Sequence, residues 1–126
     1  MEQQNKKILI VEDDAMIRDM YTRVMKAEGY DVTEAQDGSS GLKMMTDGGY
    51  DLVLLDIMLP EISGLDILKK LKETAPAIAN KKILVLTNLD QDMIIYDCLA
   101  MGASGYFIKD QTTPDKLIEL IKENIK

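Results

Sequence analysis

The chain has no histidine and no tryptophan, one cysteine, three prolines and a single phenylalanine among 126 residues. Each shortage excludes something. Without histidine there is no imidazole base, no histidine metal ligand and no phosphohistidine on the chain itself, so proton transfer and metal binding fall to carboxylates. The lone thiol, Cys98, has no partner for an internal disulfide, and "YDCLAMG" places it on a helix stripe that would bury it as a small hydrophobe. No block of lysine and arginine interrupts a net charge of −7, which argues against a nucleic-acid surface. The opening "MEQQNKK" precedes no signal-peptide core, and no apolar run approaches the length of a membrane span. A cytoplasmic location without membrane contact is expected.

What remains is 46% apolar and poor in aromatics, with nine methionines, so the core must be aliphatic and thioether. The length suits one domain, residues 1–126, with a core of its own. Along the chain a unit repeats. "KKILIV" (Lys6 to Val11) is a β-branched run, and Ile17, Met20, Tyr21, Val24 and Met25 after it are spaced as a helix face that Gly29 closes. "DVTEA" (Asp31 to Ala35) alternates as a strand before a weaker helix around Leu42 and Met45, which Gly48 and Gly49 end. Leu52 to Leu55 reads as a fully buried strand, and a loop through Pro60 to Gly64 leads to a helix bearing Leu65, Leu68 and Leu71. "KILVLT" (Lys82 to Thr87) is the fourth strand. A helix follows with Ile94, Ile95, Cys98, Leu99 and Met101, then a short strand "GYFI" (Gly105 to Ile108). Thr113 as N-cap and Pro114 at the first helical position open the last helix.

Five strands alternate with five helices, and the central strands are apolar on both faces, which predicts an α/β fold with a doubly wound, open parallel sheet. The flavodoxin-like strand order 2-1-3-4-5 would set strands one and three side by side at the switch point, where ligands bind at the carboxyl ends. Glu12 and Asp13, Asp56, Thr87 and Lys109 all stand at such ends. Singly each has a bland account: acids before a helix cap it, as Asp14 is expected to do, and a lysine in a loop is usually solvated. Together, three carboxylates on one partly buried edge repel one another and favour a cation. Magnesium suits an all-oxygen set, and no soft ligand set is available for zinc. A carboxylate beside magnesium, with an ammonium and a hydroxyl aimed at the same space, is a phosphoryl-transfer arrangement: Asp56 as nucleophile, Thr87 and Lys109 on the phosphoryl oxygens.

These segments carry a resemblance that covers essentially the whole chain. "ILIVEDD", "DIMLPEISG", "VLTN" and "GYFIK", in this order and at these intervals, resemble the receiver domain of two-component response regulators, including its chemotaxis-type members. The resemblance implies that Asp56 is the phosphoacceptor and that Asp13, Asp56 and the Met58 backbone carbonyl hold Mg2+ directly, with Glu12 acting through a water. It implies that Thr87 and Lys109 bind the phosphoryl group and that Thr87 and Tyr106 form the switch pair. It further implies a phosphohistidine donor on a sensor histidine kinase or phosphotransfer protein, self-catalysed phosphorylation and dephosphorylation, and a downstream protein target or output domain. The signalling face is that of the fourth helix, fifth strand and fifth helix, where Tyr96, Tyr106 and Phe107 are expected. The molecule would be a monomer or a phosphorylation-dependent dimer, either free-standing or a module of a longer protein.

Two positions depart from the pattern. Asn88 stands where the family usually has a very small residue, which bears on access to the phosphoryl group. Asp110 follows Lys109 where many members carry proline, and a cis bond before a non-proline residue costs about 3 kcal/mol, so a trans peptide is expected. Other function classes remain: a receiver fold used only as an unphosphorylated interaction module, a flavin carrier, or a hydrolase with an aspartyl nucleophile. The complete set Asp13, Asp56, Thr87 and Lys109 speaks against the first. "EDDA" after strand one would repel a flavin phosphate. Met58 occupies the place where such hydrolases put a second acid.

Overall fold

The computed structural model describes residues 6–74, 79–88, 92–109 and 112–125. The elements run β1 (Lys7–Val11), α1 (Ala15–Ala27), β2 (Asp31–Ala35), α2 (Gly38–Asp47), β3 (Leu52–Asp56), α3 (Gly64–Thr74), β4 (Ile83–Thr87), α4 (Asp92–Ala100), β5 (Gly105–Ile108) and α5 (Pro114–Ile125). All neighbouring strands pair in parallel in the order β2-β1-β3-β4-β5, the expected flavodoxin-like arrangement. Because consecutive side chains on a strand point to opposite faces, the two parities of each strand build two separate cores. Leu9, Val11, Val53, Leu55 and Val85 pack with residues of α2, α3 and α4, including the fully buried Cys98. Ile8, Ile10, Leu52, Leu54, Leu84 and Leu86 pack with Tyr21 and Met25 of α1 and Leu117 and Ile121 of α5. Every residue of β3 is buried, as a central strand covered on both sides should be.

Helix ends follow their local chemistry. The Asp14 carboxylate accepts from the amides of Met16 and Ile17 and caps α1. Thr113 Oγ1 accepts from the Lys116 amide ahead of Pro114. Gly29 and Gly48 leave α1 and α2 at φ of 93° and 74°, a conformation that glycine adopts without a Cβ clash. No helix among the described residues is long and apolar enough to cross a membrane.

Three expectations need correction. Phe107 does not lie on the face of α4, β5 and α5; it is 6% exposed and stacks, tilted, against Tyr21 at 6.3 Å on the α1 and α5 side. Met20, placed on the buried stripe of α1, is 43% exposed, because Tyr21 and Met25 already fill the space beneath the helix. Asp56 is the last residue of β3 rather than the first beyond it. Asp110 and its peptide bond lie outside the described residues.

The two-sided core predicts contrasting variants. Leu54→Ala should lower the unfolding free energy in urea by about 3 kcal/mol, from lost burial and the cavity left behind. Tyr96→Ala, at a side chain 70% exposed, should change it by less than about 0.5 kcal/mol.

Candidate functional site

The carboxyl edge of the sheet brings the expected residues together. Asp56 ends β3 at 1% exposure, Thr87 ends the adjacent β4 fully buried, and Glu12, directly after β1, is also fully buried. Lys109 follows β5 and reaches back across the edge with only 5% of its side chain exposed. Its Nζ donates to Glu12 Oε1 at 2.6 Å and to Asp56 Oδ2 at 3.0 Å, one ammonium bridging two buried carboxylates. Asp13 is exposed, yet carboxylate oxygens of Glu12, Asp13 and Asp56 lie within 4.8 Å of one another. The donor set is entirely oxygen and negatively charged, which suits a hard divalent cation.

The two buried carboxylates are fixed by backbone. Asp56 Oδ1 accepts the Met58 amide at 3.0 Å, and the strand carrying it is clamped by the Ile57 amide on the Leu86 carbonyl at 3.0 Å. Glu12 is held at both ends: its amide donates to the Ala35 carbonyl at 3.1 Å, and its Oε2 accepts the Asp14 amide at 3.1 Å. Behind the loop, Arg18 Nη1 donates to the Glu12 carbonyl at 2.8 Å. The sequence reading passed over Arg18. Its signal was a cation in the first turn of α1, where the helix dipole disfavours positive charge.

The loop from Asp56 to Gly64 turns sharply away from the acid edge. A Cβ at Gly64 would meet the Asp56 carbonyl oxygen at 2.6 Å, so only glycine lets α3 start this close to the end of β3. The Gly64 amide donates to the Ile57 carbonyl at 2.9 Å and closes the loop. Within it, Glu61 takes φ 66° while the Ile62 amide bonds the Pro60 carbonyl at 2.7 Å, a three-residue turn that strains a side-chain-bearing residue. Ile62 is thereby laid against Gly38 at the start of α2, where a Cβ would come within 2.2 Å of its Cγ2.

At the rim, Met58 is 55% exposed, Asn88 is exposed beside Thr87, and Tyr106 is 46% exposed. Tyr106 and Tyr96, together with Met93 at 75% exposure, leave an apolar strip on α4 and β5. Cys98 takes no part: burial pushes its thiol up to about 11, and the nearby Asp97 adds to the shift.

Burial pushes the Glu12 carboxyl up, against the hydrogen bond from Lys109 and with the charge of Asp56, to about 7. Burial pulls the Lys109 ammonium down, but its hydrogen bond to Glu12 and the charge of Asp56 outweigh that, and it stays above its ordinary range.

A profile described as response regulator receiver domain matches residues 8–122. The chain is 38% identical over 112 residues to a transcriptional regulatory protein, YcbL, of Bacillus subtilis, covering 89% of this chain and 46% of that protein. It resembles the crystal structure of a CheY-like receiver domain protein from Methanospirillum hungatei (TM-score 0.84, 32% identity, 95% of this chain and 93% of that one). It also resembles the BeF3-activated N-terminal receiver domain of Klebsiella pneumoniae RstA (TM-score 0.82, 31% identity, 96% and 99%). The chain spans about half the length of the curated relatives it matches, 46%, 43% and 45% for three transcriptional regulatory proteins.

The raised Glu12 gives a pH signature in metal-free protein. Between its unfolded value of 4.5 and its folded value of about 7, the folded state holds a proton that the unfolded chain has released. Stability should therefore fall as pH rises through that window. Glu12→Gln should remove this part of the slope, read from urea midpoints of both proteins measured between those pH values.

Proposed function

The chain belongs to the response regulator receiver family, and from that premise we propose that Asp56 is its phosphoacceptor in a Mg2+-dependent reaction. The observation that carries this reading is the pair of buried carboxylates, Glu12 and Asp56, sharing the Lys109 ammonium at 2.6 and 3.0 Å. A buried acid at a strand end, fixed by the Met58 amide, is a rigid nucleophile.

In the forward step an Asp56 oxygen attacks the phosphorus of a phosphohistidine on a sensor histidine kinase or phosphotransfer protein. The O–P bond forms as the P–N bond breaks, and the imidazole leaves with the electron pair. Lys109, already 3.0 Å from Asp56 Oδ2, lies within short reach of the incoming phosphoryl oxygens. Thr87, at the end of the adjacent strand, offers a hydroxyl to the same group. Asp13, Asp56 and the Met58 carbonyl would hold Mg2+, with Glu12 acting through a water, and the bound ion would supply charge neutralisation for the phosphoryl oxygens. Hydrolysis of the aspartyl phosphate resets the site, and exposed Asn88, next to Thr87, bears on access of the attacking water.

The output is a change of protein-binding surface. New contacts from the phosphoryl group to Thr87 and Lys109 draw on the ends of β4 and β5, and Tyr106, outward in this structure, is the side chain placed to follow Thr87. α4 carries apolar residues on its exposed side as well as its buried one, with Met93 and Tyr96 open to solvent, as suits a helix that covers a partner. The partner is a downstream protein or an output domain.

Incubation with magnesium and a small acyl phosphate should add one phosphoryl group by intact mass, and Asp56→Asn should abolish the adduct. An adduct that survives Asp56→Asn would move the site. No adduct from acyl phosphate or from a phosphohistidine donor, with no binding of beryllofluoride, would leave an unphosphorylated interaction module.

A further inference from the structure

The geometry points to Arg18 as a positioning residue for the cation site: its guanidinium sets the peptide between Glu12 and Asp13 and so aims the Asp13 carboxylate. This rests on the reading of the site given above. Arg18 is the fourth residue of α1, a place where the helix dipole opposes a cation, so its presence there needs a compensating interaction. Three carboxylates, those of Glu12, Asp13 and Asp14, lie in the adjoining loop. The recorded hydrogen bonds of Arg18 nevertheless go to main chain: Nη1 donates to the Glu12 carbonyl at 2.8 Å and approaches the Asp13 carbonyl at 3.5 Å. The outer edge of the guanidinium faces a polar cleft shared with Glu34 and Gln36. Glu34 in turn accepts from Thr22 Oγ1 at 2.6 Å, so this carboxylate also has a neutral partner.

The three acids of the loop differ in how they are held. Asp14 is fixed by capping α1, and Glu12 by the Ala35 carbonyl, the Asp14 amide and Lys109. Asp13 is exposed, and its direction depends on the peptide planes on either side of it. Arg18 reaches both carbonyls that define those planes. Both contacts are made by one nitrogen, Nη1, which the planar guanidinium holds between the two carbonyls, whereas a lysine ammonium on its flexible stem would be less fixed there. Groups that orient a metal ligand without touching the metal commonly account for a 10- to 100-fold part of its affinity.

The sign of the effect separates this role from simple charge. If Arg18 acted only through its positive charge, its removal would tighten binding of a divalent cation. If it aims Asp13, removal must weaken binding. The experiment is a calorimetric titration of Mg2+ into wild type, Arg18→Met and Arg18→Lys, each checked for folding by its metal-free melting temperature. Backbone NMR order parameters of Asp13 and Asp14 are measured without metal. Arg18→Met should weaken Mg2+ by about 10-fold and lower the order parameter at Asp13, with Arg18→Lys recovering part of both. Unchanged or tighter Mg2+ binding in a folded Arg18→Met, with the Asp13 order parameter unmoved, overturns the inference alone. A wild type that binds no Mg2+ overturns the reading of the site and this inference with it. Should Arg18→Met fail to fold, the Arg18→Lys titration and order parameters decide in the same way.

Discussion

The Lys109 ammonium between Glu12 and Asp56 is the interaction on which the rest of the site depends. Two carboxylates buried at a sheet edge cannot both stay ionised without a compensating cation, since each is stripped of water and repels the other. Lys109 supplies one charge for two, and burial, against the Lys109 hydrogen bond and with the charge of Asp56, pushes Glu12 up to about 7. The edge is thus left short of positive charge by construction. On the proposed function, a divalent cation would complete it and an incoming phosphoryl group would give the ammonium a new set of oxygens to bind. The same shortage that makes the site costly to fold makes it receptive to ligand.

The scaffold is arranged to hold that shortage in place. β3 is buried along its whole length, so Asp56 is carried on a strand with packing on both faces. Parallel pairing brings the ends of β1, β3 and β4 level, with Val11 opposite Leu55 and Asp56 opposite Leu86. Parallel strands alone would not free the acid edge. The glycine at 64, the strained turn at Glu61 and the seat of Ile62 on Gly38 carry the chain out of the way.

Much of this was legible from sequence. Periodicity gave the order of elements, and turn chemistry gave the caps at Asp14, Gly29 and Thr113. The topology rule for parallel sheets then gathered Glu12, Asp13, Asp56, Thr87 and Lys109 on one edge. The failures have physical causes. Phe107 lies on the edge strand β5, where alternation says only that it and Tyr106 point oppositely, not which one faces α1 and α5. Met20 fits the apolar spacing of α1, but the width of the buried stripe depends on the size of Tyr21 and Met25. The Lys109 bridge and the carbonyl contacts of Arg18 join residues far apart in sequence or involve main-chain acceptors, which no side-chain pattern announces. The left-handed turn at Glu61 was hidden because a glutamate does not advertise it.

The most direct test is a crystal structure of the protein with Mg2+ and beryllofluoride. The account predicts beryllium on an Asp56 oxygen, fluorides in hydrogen-bond reach of Lys109 Nζ and Thr87 Oγ1, and the 2.6 Å contact between Lys109 and Glu12 broken. Beryllofluoride bound elsewhere, or Lys109 still bridging Glu12 and Asp56 with the ligand in place, would contradict it.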